Sequence, residues 1–224
     1  MTKVICILLV LLSTSAHAQF KNLEDISSDA LLDETQLVSE DPDKLEMIWW
    51  IPREYWIAVN AEDPTTSSDE MDDLLDLLEG FEIFAVVLGD INDFGGVNFT
   101  DSEATVDLFS VTYKETDLAF LDENDVPSNL RMVLDIMKPI MRNLLGPMGE
   151  NINFVVAENP KDTSVIPIDL FGTDTLHLSL GDFHQKIELP LNAVIVEKKC
   201  PVNQTLYSGR WNYCPVHGKP LENQ

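Results

Sequence analysis

Two histidines of the sequence, His177 and His184, could share a metal ion. They alternate with apolar residues in the two predicted strands of one hairpin. Both imidazoles then lie on its polar face as diagonal neighbours, with Cβ atoms roughly 7 Å apart. Imidazole is a common transition-metal ligand, and Glu188 or another acid could join the pair. Because the sequence defines no third ligand, we expect two ordinary exposed histidines, with a shared metal as the alternative.

A second pattern has the spacing of an EF-hand calcium loop. Asp90, Asn92 and Asp101 fall on its first, third and twelfth positions, and Gly95 falls on the sixth. Phe94 occupies the fifth position, where an oxygen ligand belongs, and an aspartate replaces the usual glutamate at the twelfth. We therefore expect a plain glycine turn, with calcium binding by Asp90, Asn92 and Asp101 as the alternative.

The C-terminal end carries two short segments of similar pattern. Cys200-Pro201-Val202-Asn203 is followed by Tyr213-Cys214-Pro215-Val216-His217. Over about 22 residues this arrangement resembles a zinc ribbon, whose two knuckles read Cys-Pro-x-Cys-Gly. The resemblance implies that Cys200, Cys214 and His217 occupy metal-ligand positions. It also implies that Asn203 falls on the fourth ligand position, which in the ribbon family is a cysteine.

Within this resemblance, a disulfide between Cys200 and Cys214 competes with zinc. Two thiolates on one tetrahedral zinc lie roughly 3.8 Å apart, so little backbone movement would bond them to each other. Asn203 is a poor zinc ligand, and an exported chain meets an oxidising compartment. We therefore predict the disulfide and no cofactor, with zinc as the alternative. In the disulfide form, His217 is a surface residue without an assigned role.

Signatures of a catalytic nucleophile are missing from the sequence. It contains no Gly-x-Ser-x-Gly, no Ser-x-x-Lys and no His-Glu-x-x-His, and no glycine-rich loop that would cradle a phosphate. This favours a non-enzymatic protein. The enzymatic alternative is a metal-dependent periplasmic hydrolase that uses His177 and His184 with nearby acids.

Local patterns predict the elements that position these residues. Residues 175–180 and 183–189 flank Gly181-Asp182, a two-residue turn with glycine in its first central position, which predicts a hairpin. Pairing Leu180 with Phe183 puts one set of side chains on a single, mainly apolar face. That set is Leu176, Leu178, Leu180, Phe183, Gln185, Ile187 and Leu189.

The remaining patterns predict an α+β fold. Ser67 and Glu70 form a capping box before an amphipathic helix, and a longer apolar stripe begins after Ser128. Residues 47–59 are rich in Trp, Ile and Tyr, which predicts a strand interrupted at Pro52. Strands outnumber helices without strict alternation. We therefore expect one mixed, mainly antiparallel sheet packed by two amphipathic helices, with a small C-terminal ribbon-like knuckle.

The first eighteen residues have the features of a signal peptide. Lys3 precedes an unbroken apolar run from Val4 to Leu12, and Ala16-His17-Ala18 places small residues at the cleavage site. Cleavage would make Gln19 the new N-terminus. The run is far shorter than the roughly 20 residues of a membrane span. We therefore expect export, either to a Gram-negative periplasm or by secretion.

Composition then divides the chain into segments. Between Lys21 and Glu46 it carries nine acids and two lysines, which predicts a weakly structured arm. The expected organisation is a signal peptide at 1–18, an acidic flexible arm at 19–46, an α+β domain at 47–198 and a ribbon-like module at 199–224.

The net negative charge of the chain limits the classes of partner that it can bind. The sequence has 14 Lys and Arg against 39 Asp and Glu, a formal net charge of -25. Such a surface repels nucleic-acid phosphates and anionic lipid headgroups. We therefore expect neither nucleic-acid binding nor electrostatic docking on membranes, and the lack of an apolar stretch of sufficient length predicts no membrane insertion. The sequence predicts an exported non-enzymatic binding or interaction protein, with an unidentified protein or a basic ligand as its partner.

Overall fold

The computed structural model describes residues 19–62, 66–158 and 168–223, and the predicted signal peptide lies outside them. The described residues form two compact units, one of residues 20–195 and one of Gln19 with residues 196–223. Helices and antiparallel sheets make up the fold, so the predicted α+β class is confirmed. The described strands form three sheets where the sequence predicts one.

The helices and strands of the described residues have the following bounds. The helices are α1 (Ser28–Thr35), α2 (Arg53–Glu62), α3 (Ser68–Leu78), α4 (Ser102–Asp107), α5 (Ser128–Leu145) and α6 (Pro147–Glu150). The strands are β1 (Gln36–Val38), β2 (Lys44–Ile51), β3 (Phe81–Ile91), β4 (Val97–Phe99), β5 (Phe109–Tyr113), β6 (Thr116–Asp117), β7 (Asn153–Glu158), β8 (Thr175–Leu180), β9 (Phe183–Glu188), β10 (Lys198–Lys199), β11 (Leu206–Tyr207) and β12 (Glu222–Asn223).

The long strand β3 lies at the centre of the first sheet. It pairs with β2 along one edge, and its other edge is shared by β7 and β4. Residues 83–87 of β3 are all buried, on both faces of the sheet. Strands that are covered on both faces need apolar residues at consecutive positions, and β2 and β3 have this composition.

Different layers cover the two faces. On one face, Trp49 of β2 and Ala85 of β3 share an apolar core with Leu130 and Leu134 of α5. On the other face, the ring of Phe84 lies 5.5 Å, centroid to centroid, from the ring of Phe109 in β5. Strand β5 belongs to the second sheet, whose order is β6-β5-β8-β9. The main unit is therefore a helix layer, a central sheet and a second sheet.

The sequence prediction for residues 47–59 is wrong in its second half. Strand β2 ends at Ile51, and α2 begins at Arg53. The carbonyl of Pro52 accepts a hydrogen bond from the Tyr55 N–H at 3.0 Å, which starts the helical turn. Aromatic content suggested a strand, but Tyr55 and Trp56 pack against the main core from a helix, so tertiary packing outweighs their strand propensity.

Residues 19–46 are folded, which differs from the predicted flexible arm. Leu31 of α1 is fully buried. The carboxylate of Glu34 accepts hydrogen bonds from the backbone N–H groups of Asn192 and Ala193, at 2.8 and 2.7 Å. Composition suggested disorder because acids predominate. Ile26 and Leu31, however, are buried, and some of the acids accept hydrogen bonds from the backbone.

Two local predictions are confirmed. Ser67 and Glu70 form both hydrogen bonds of the capping box at the start of α3. The hairpin of β8 and β9 has the predicted register, with Leu180 opposite Phe183. Its predicted inner face is buried except for Gln185, which is half-buried.

Candidate metal centre

The two cysteine segments of the C-terminal unit have the same backbone fold. The carbonyl of Cys200 accepts a hydrogen bond from the Gln204 N–H, and the Cys200 N–H donates to the Thr205 carbonyl, both at 2.9 Å. Cys214 makes the equivalent pair of bonds with Gly218 and Lys219, both at 2.8 Å. We call these segments, 200–205 and 214–219, the first and second knuckles. Their equivalence places Asn203 of the first knuckle where the second has His217.

A small three-stranded sheet joins the knuckles. Strand β10 leads directly into Cys200 and pairs with β11, which follows the first knuckle, and with β12, which follows the second. The buried Lys198 of β10 donates hydrogen bonds from its Nζ to the Trp211 carbonyl at 3.1 Å and to Asn212 Oδ1 at 3.3 Å. The segment between the knuckles is thereby held against the sheet.

Three potential ligand atoms converge between the knuckles. His217 Nδ1 lies 3.4 Å from Cys200 Sγ and 3.5 Å from Cys214 Sγ. The ligand atoms of all three residues lie within 4.8 Å of one another. Two ligands of one tetrahedral zinc, a sulfur at about 2.3 Å and a nitrogen at about 2.0–2.1 Å, are separated by about 3.6 Å. The observed arrangement therefore fits a metal ion with Cys200, Cys214 and His217 as ligands.

The cysteines are free thiols in this arrangement, which differs from the predicted disulfide. Both are buried, whereas His217 is exposed. A disulfide would need only the two sulfurs, bonded at about 2.05 Å. The convergence of His217 Nδ1 on both sulfurs has no role in a disulfide, but it is what a shared metal requires. Three of the four ligand positions implied by the zinc-ribbon resemblance are thus brought together.

Hydrogen bonds lower the pKa of the Cys214 thiol. Burial acts in the opposite direction and is the largest single effect. The backbone N–H groups of His217 and Val216, together with the side chains of Cys200 and His217, outweigh it and bring the pKa from its ordinary 9.0 to about 6. Metals bind the thiolate, so the fold favours the form of Cys214 that a metal needs.

Tyr207 is a neighbour of the site that sequence analysis missed. Its hydroxyl is hydrogen-bonded to Cys214, which is the main reason that its pKa is raised, and to the side chain of Asn203. Its ring stacks on that of Trp211, with centroids 5.8 Å apart. No spacing in the sequence singles out Tyr207, because the contact depends on how the two knuckles fold together.

The hairpin histidines do not form a comparable site. His177 and His184 are both exposed, and His184 Nδ1 lies 2.8 Å from the hydroxyl of Ser179. Glu188, the nearby acid, forms an ion pair with Lys186 at 2.6 Å. Among the described residues, neither histidine belongs to a group of three potential ligands.

The three residues of the alternative calcium site are each used in local structure, and the expected glycine turn is present. Asp90 pairs with Lys44 at 2.6 Å. Asn92 Oδ1 accepts hydrogen bonds from the N–H groups of Phe94 and Gly96, both at 3.0 Å, and so shapes the glycine turn. Asp101 Oδ1 accepts a hydrogen bond from the Glu103 N–H at 3.0 Å and caps α4. The structure therefore gives Asp90 an ion pair on β3, Asn92 a role in the turn and Asp101 the role of a helix cap.

Comparison of the chain with family models, with curated proteins and with solved structures finds no match. In the part of the chain that the structure describes, no helix combines the length and the apolar composition needed to cross a membrane.

Proposed function

We propose that this protein is an exported, non-enzymatic binding protein whose C-terminal unit binds a metal ion, with zinc as the first choice. The observation that carries the proposal is the position of His217 Nδ1, at 3.4 and 3.5 Å from the sulfurs of Cys200 and Cys214. Two thiolates and an imidazole suit zinc or Cu(I), and they disfavour magnesium and calcium, which prefer oxygen ligands.

The charge of the main unit supports the binding of cations. Residues 20–195 contain nine Lys and Arg against 37 Asp and Glu, a net charge of -28. Residues 196–224 contain four against two, a net charge of +2. A strongly negative protein raises the local concentration of cations, whether metal ions or basic partners. Nonspecific attraction by the acids and specific ligation by the knuckles would act together.

Export rests on the sequence of residues 1–18, and it affects the state of the site. In an oxidising compartment, metal binding and a Cys200–Cys214 disulfide compete for the same two sulfurs. Bound zinc would hold the thiolates apart and protect them from oxidation. The alternative function, a hydrolase built on His177 and His184, has no third ligand among the described residues to support it.

The test compares matched histidine variants of the mature chain, residues 19–224. After reduction and incubation with zinc, we expect one zinc per chain in the wild-type protein and in His184→Ala. We expect His217→Ala to lose affinity by more than about 100-fold, since changes beyond the ligands already cost roughly 10- to 100-fold. The measurement is zinc content with a competing chromophoric chelator. If wild type binds no zinc after full reduction, or if His217→Ala binds it equally well, the proposal is wrong.

A further inference from the structure

We infer, on the basis of the proposed metal site, that one coordination position of the metal is left for a ligand from outside the chain. A site of this kind takes up and passes on its metal through ligand exchange, and the fitting external ligand is a soft donor such as a thiolate or an imidazole. Structural zinc sites are closed by four protein ligands, whereas three protein ligands leave a position for an incoming molecule.

The two knuckles are equivalent in their backbone geometry. Their matching backbone hydrogen bonds place Asn203 at the position of His217, so Asn203 is the residue that should complete the ligand set. It brings a neutral amide oxygen to a site of two sulfurs and one nitrogen. Amide oxygen suits hard ions such as calcium, and it is a weak ligand for the soft metals that thiolates select.

The Asn203 side chain is already engaged in hydrogen bonds within the C-terminal unit. Its Oδ1 accepts a hydrogen bond from the backbone N–H of Thr205 at 3.2 Å. Its side chain also contacts the Tyr207 hydroxyl, which is hydrogen-bonded to Cys214. Asn203 therefore has a local structural role in shaping the first knuckle, and binding a metal through the same oxygen would compete with that role.

An external ligand can reach the site from the solvent side. The two cysteines are buried, with 0% and 1% of their surface exposed, but Asn203 and His217 are both exposed. The sulfur ligands thus lie on the inner side of the site, and the Asn203 side faces solvent. A small donor molecule, or a side chain of a metal-exchanging partner, can approach from that side.

The test uses cobalt(II), whose visible absorption reports both the number and the type of its ligands. The mature reduced chain is loaded with cobalt and titrated with imidazole and then with 2-mercaptoethanol. We expect the wild-type spectrum to shift with each added ligand. Asn203→Cys, which supplies the missing thiolate, should give a four-ligand spectrum that does not respond. Asn203→His, which copies the second knuckle without adding a thiol, is the second closed variant.

The same proteins give a kinetic readout. Transfer of zinc to a chelator should be slower in the closed variants by on the order of tenfold or more, the scale on which changes around a site alter metal affinity. An unresponsive wild-type cobalt spectrum, or transfer from wild type as slow as from the closed variants, would overturn the inference while leaving metal binding intact. A wild-type protein with no cobalt absorption would refute the metal site itself, and the inference with it.

Discussion

Gln204 and Gly218 occupy equivalent places in the two knuckles and share a left-handed backbone conformation, with φ angles of 64° and 62°. At each position the backbone N–H donates to the carbonyl of the knuckle's cysteine, at 2.9 Å for Gln204 and 2.8 Å for Gly218. The second knuckle has the residue that adopts this conformation without steric cost. The first knuckle holds a side chain there, which costs roughly 1–2 kcal/mol.

Replacement of Gln204 should therefore stabilise the first knuckle when the new residue is glycine, but not when it is alanine. Both variants lose the long contacts of the Gln204 amide with the carbonyls of Cys200 and Pro201, each at 3.4 Å. The difference between them isolates the backbone effect, and we expect Gln204→Gly to be more stable than Gln204→Ala by about 1 kcal/mol. The rate of hydrogen exchange at the Cys200 amide measures this difference in the stability of the first knuckle. Equal protection in the two variants would argue against the left-handed conformation.

The folded state of residues 19–46 predicts a large effect from a single core substitution. Leu31 is fully buried, so Leu31→Ala should lower the free energy of unfolding by about 2–5 kcal/mol, through lost burial and the cavity left behind. Val38, half exposed on β1, is the control, and Val38→Ala should cost little. Denaturant unfolding of the mature chain measures both. A flexible segment would show no difference between the two variants.

Glu62 predicts a pH dependence for the same region. Hydrogen bonds from the Ser28 hydroxyl and the Ser28 backbone N–H lower the pKa of Glu62. A carboxylate with a lowered folded-state pKa stabilises the protein above its unfolded pKa, and this contribution is lost as the pH falls through the folded value. Glu62→Gln should therefore destabilise at pH 7, by less than about 1 kcal/mol at this exposed site.

The difference between wild type and Glu62→Gln should disappear as the pH falls well below about 4, the ordinary range of a glutamate pKa. Exposed Glu40 is a suitable control for the loss of one negative charge. Thermal unfolding across the pH range measures the effect. A destabilisation of Glu62→Gln that stays constant with pH would show that the charge of Glu62 is not involved.

Export predicts a defined N-terminus. If residues 1–18 are removed by a signal peptidase, protein from the native host should begin at Gln19. Mass spectrometry of its N-terminal peptide measures this directly. Retention of Met1 in the folded protein would mean that the chain stays in the compartment where it is made.

Local patterns in the sequence were sufficient for some of the fold. The hairpin of 175–180 and 183–189 and the capping box at Ser67 depend on neighbours a few residues apart, and both were predicted correctly. The placement of Leu31 and the change from strand to helix after Pro52 depend on packing between distant segments. Composition predicted a flexible arm and a continued strand at these two places. Both predictions are wrong, because composition is an average over a segment and does not show which of its residues become buried.

The candidate site likewise combines features that local sequence predicts with features that depend on contacts between distant segments. The pattern of each knuckle identified Cys200, Cys214 and His217 one by one, but the choice between a disulfide and a metal depends on how the two knuckles face each other. That relationship is fixed by the pairing of β10 with β11 and β12, and by Lys198 beneath the segment between the knuckles. The contact of Tyr207 with Cys214 and Asn203 depends on the same long-range arrangement.

The proposed function requires that Cys200, Cys214 and His217 bind one metal ion together. Zinc-edge X-ray absorption of the zinc-loaded mature protein tests this most directly, because it measures the number, type and distance of the ligands. We expect two sulfurs at about 2.3 Å and at least one imidazole nitrogen at about 2.0–2.1 Å, with the imidazole signal reduced in His217→Ala. A zinc shell of nitrogen and oxygen only, or a Cys200–Cys214 disulfide that persists while zinc is bound, would contradict it.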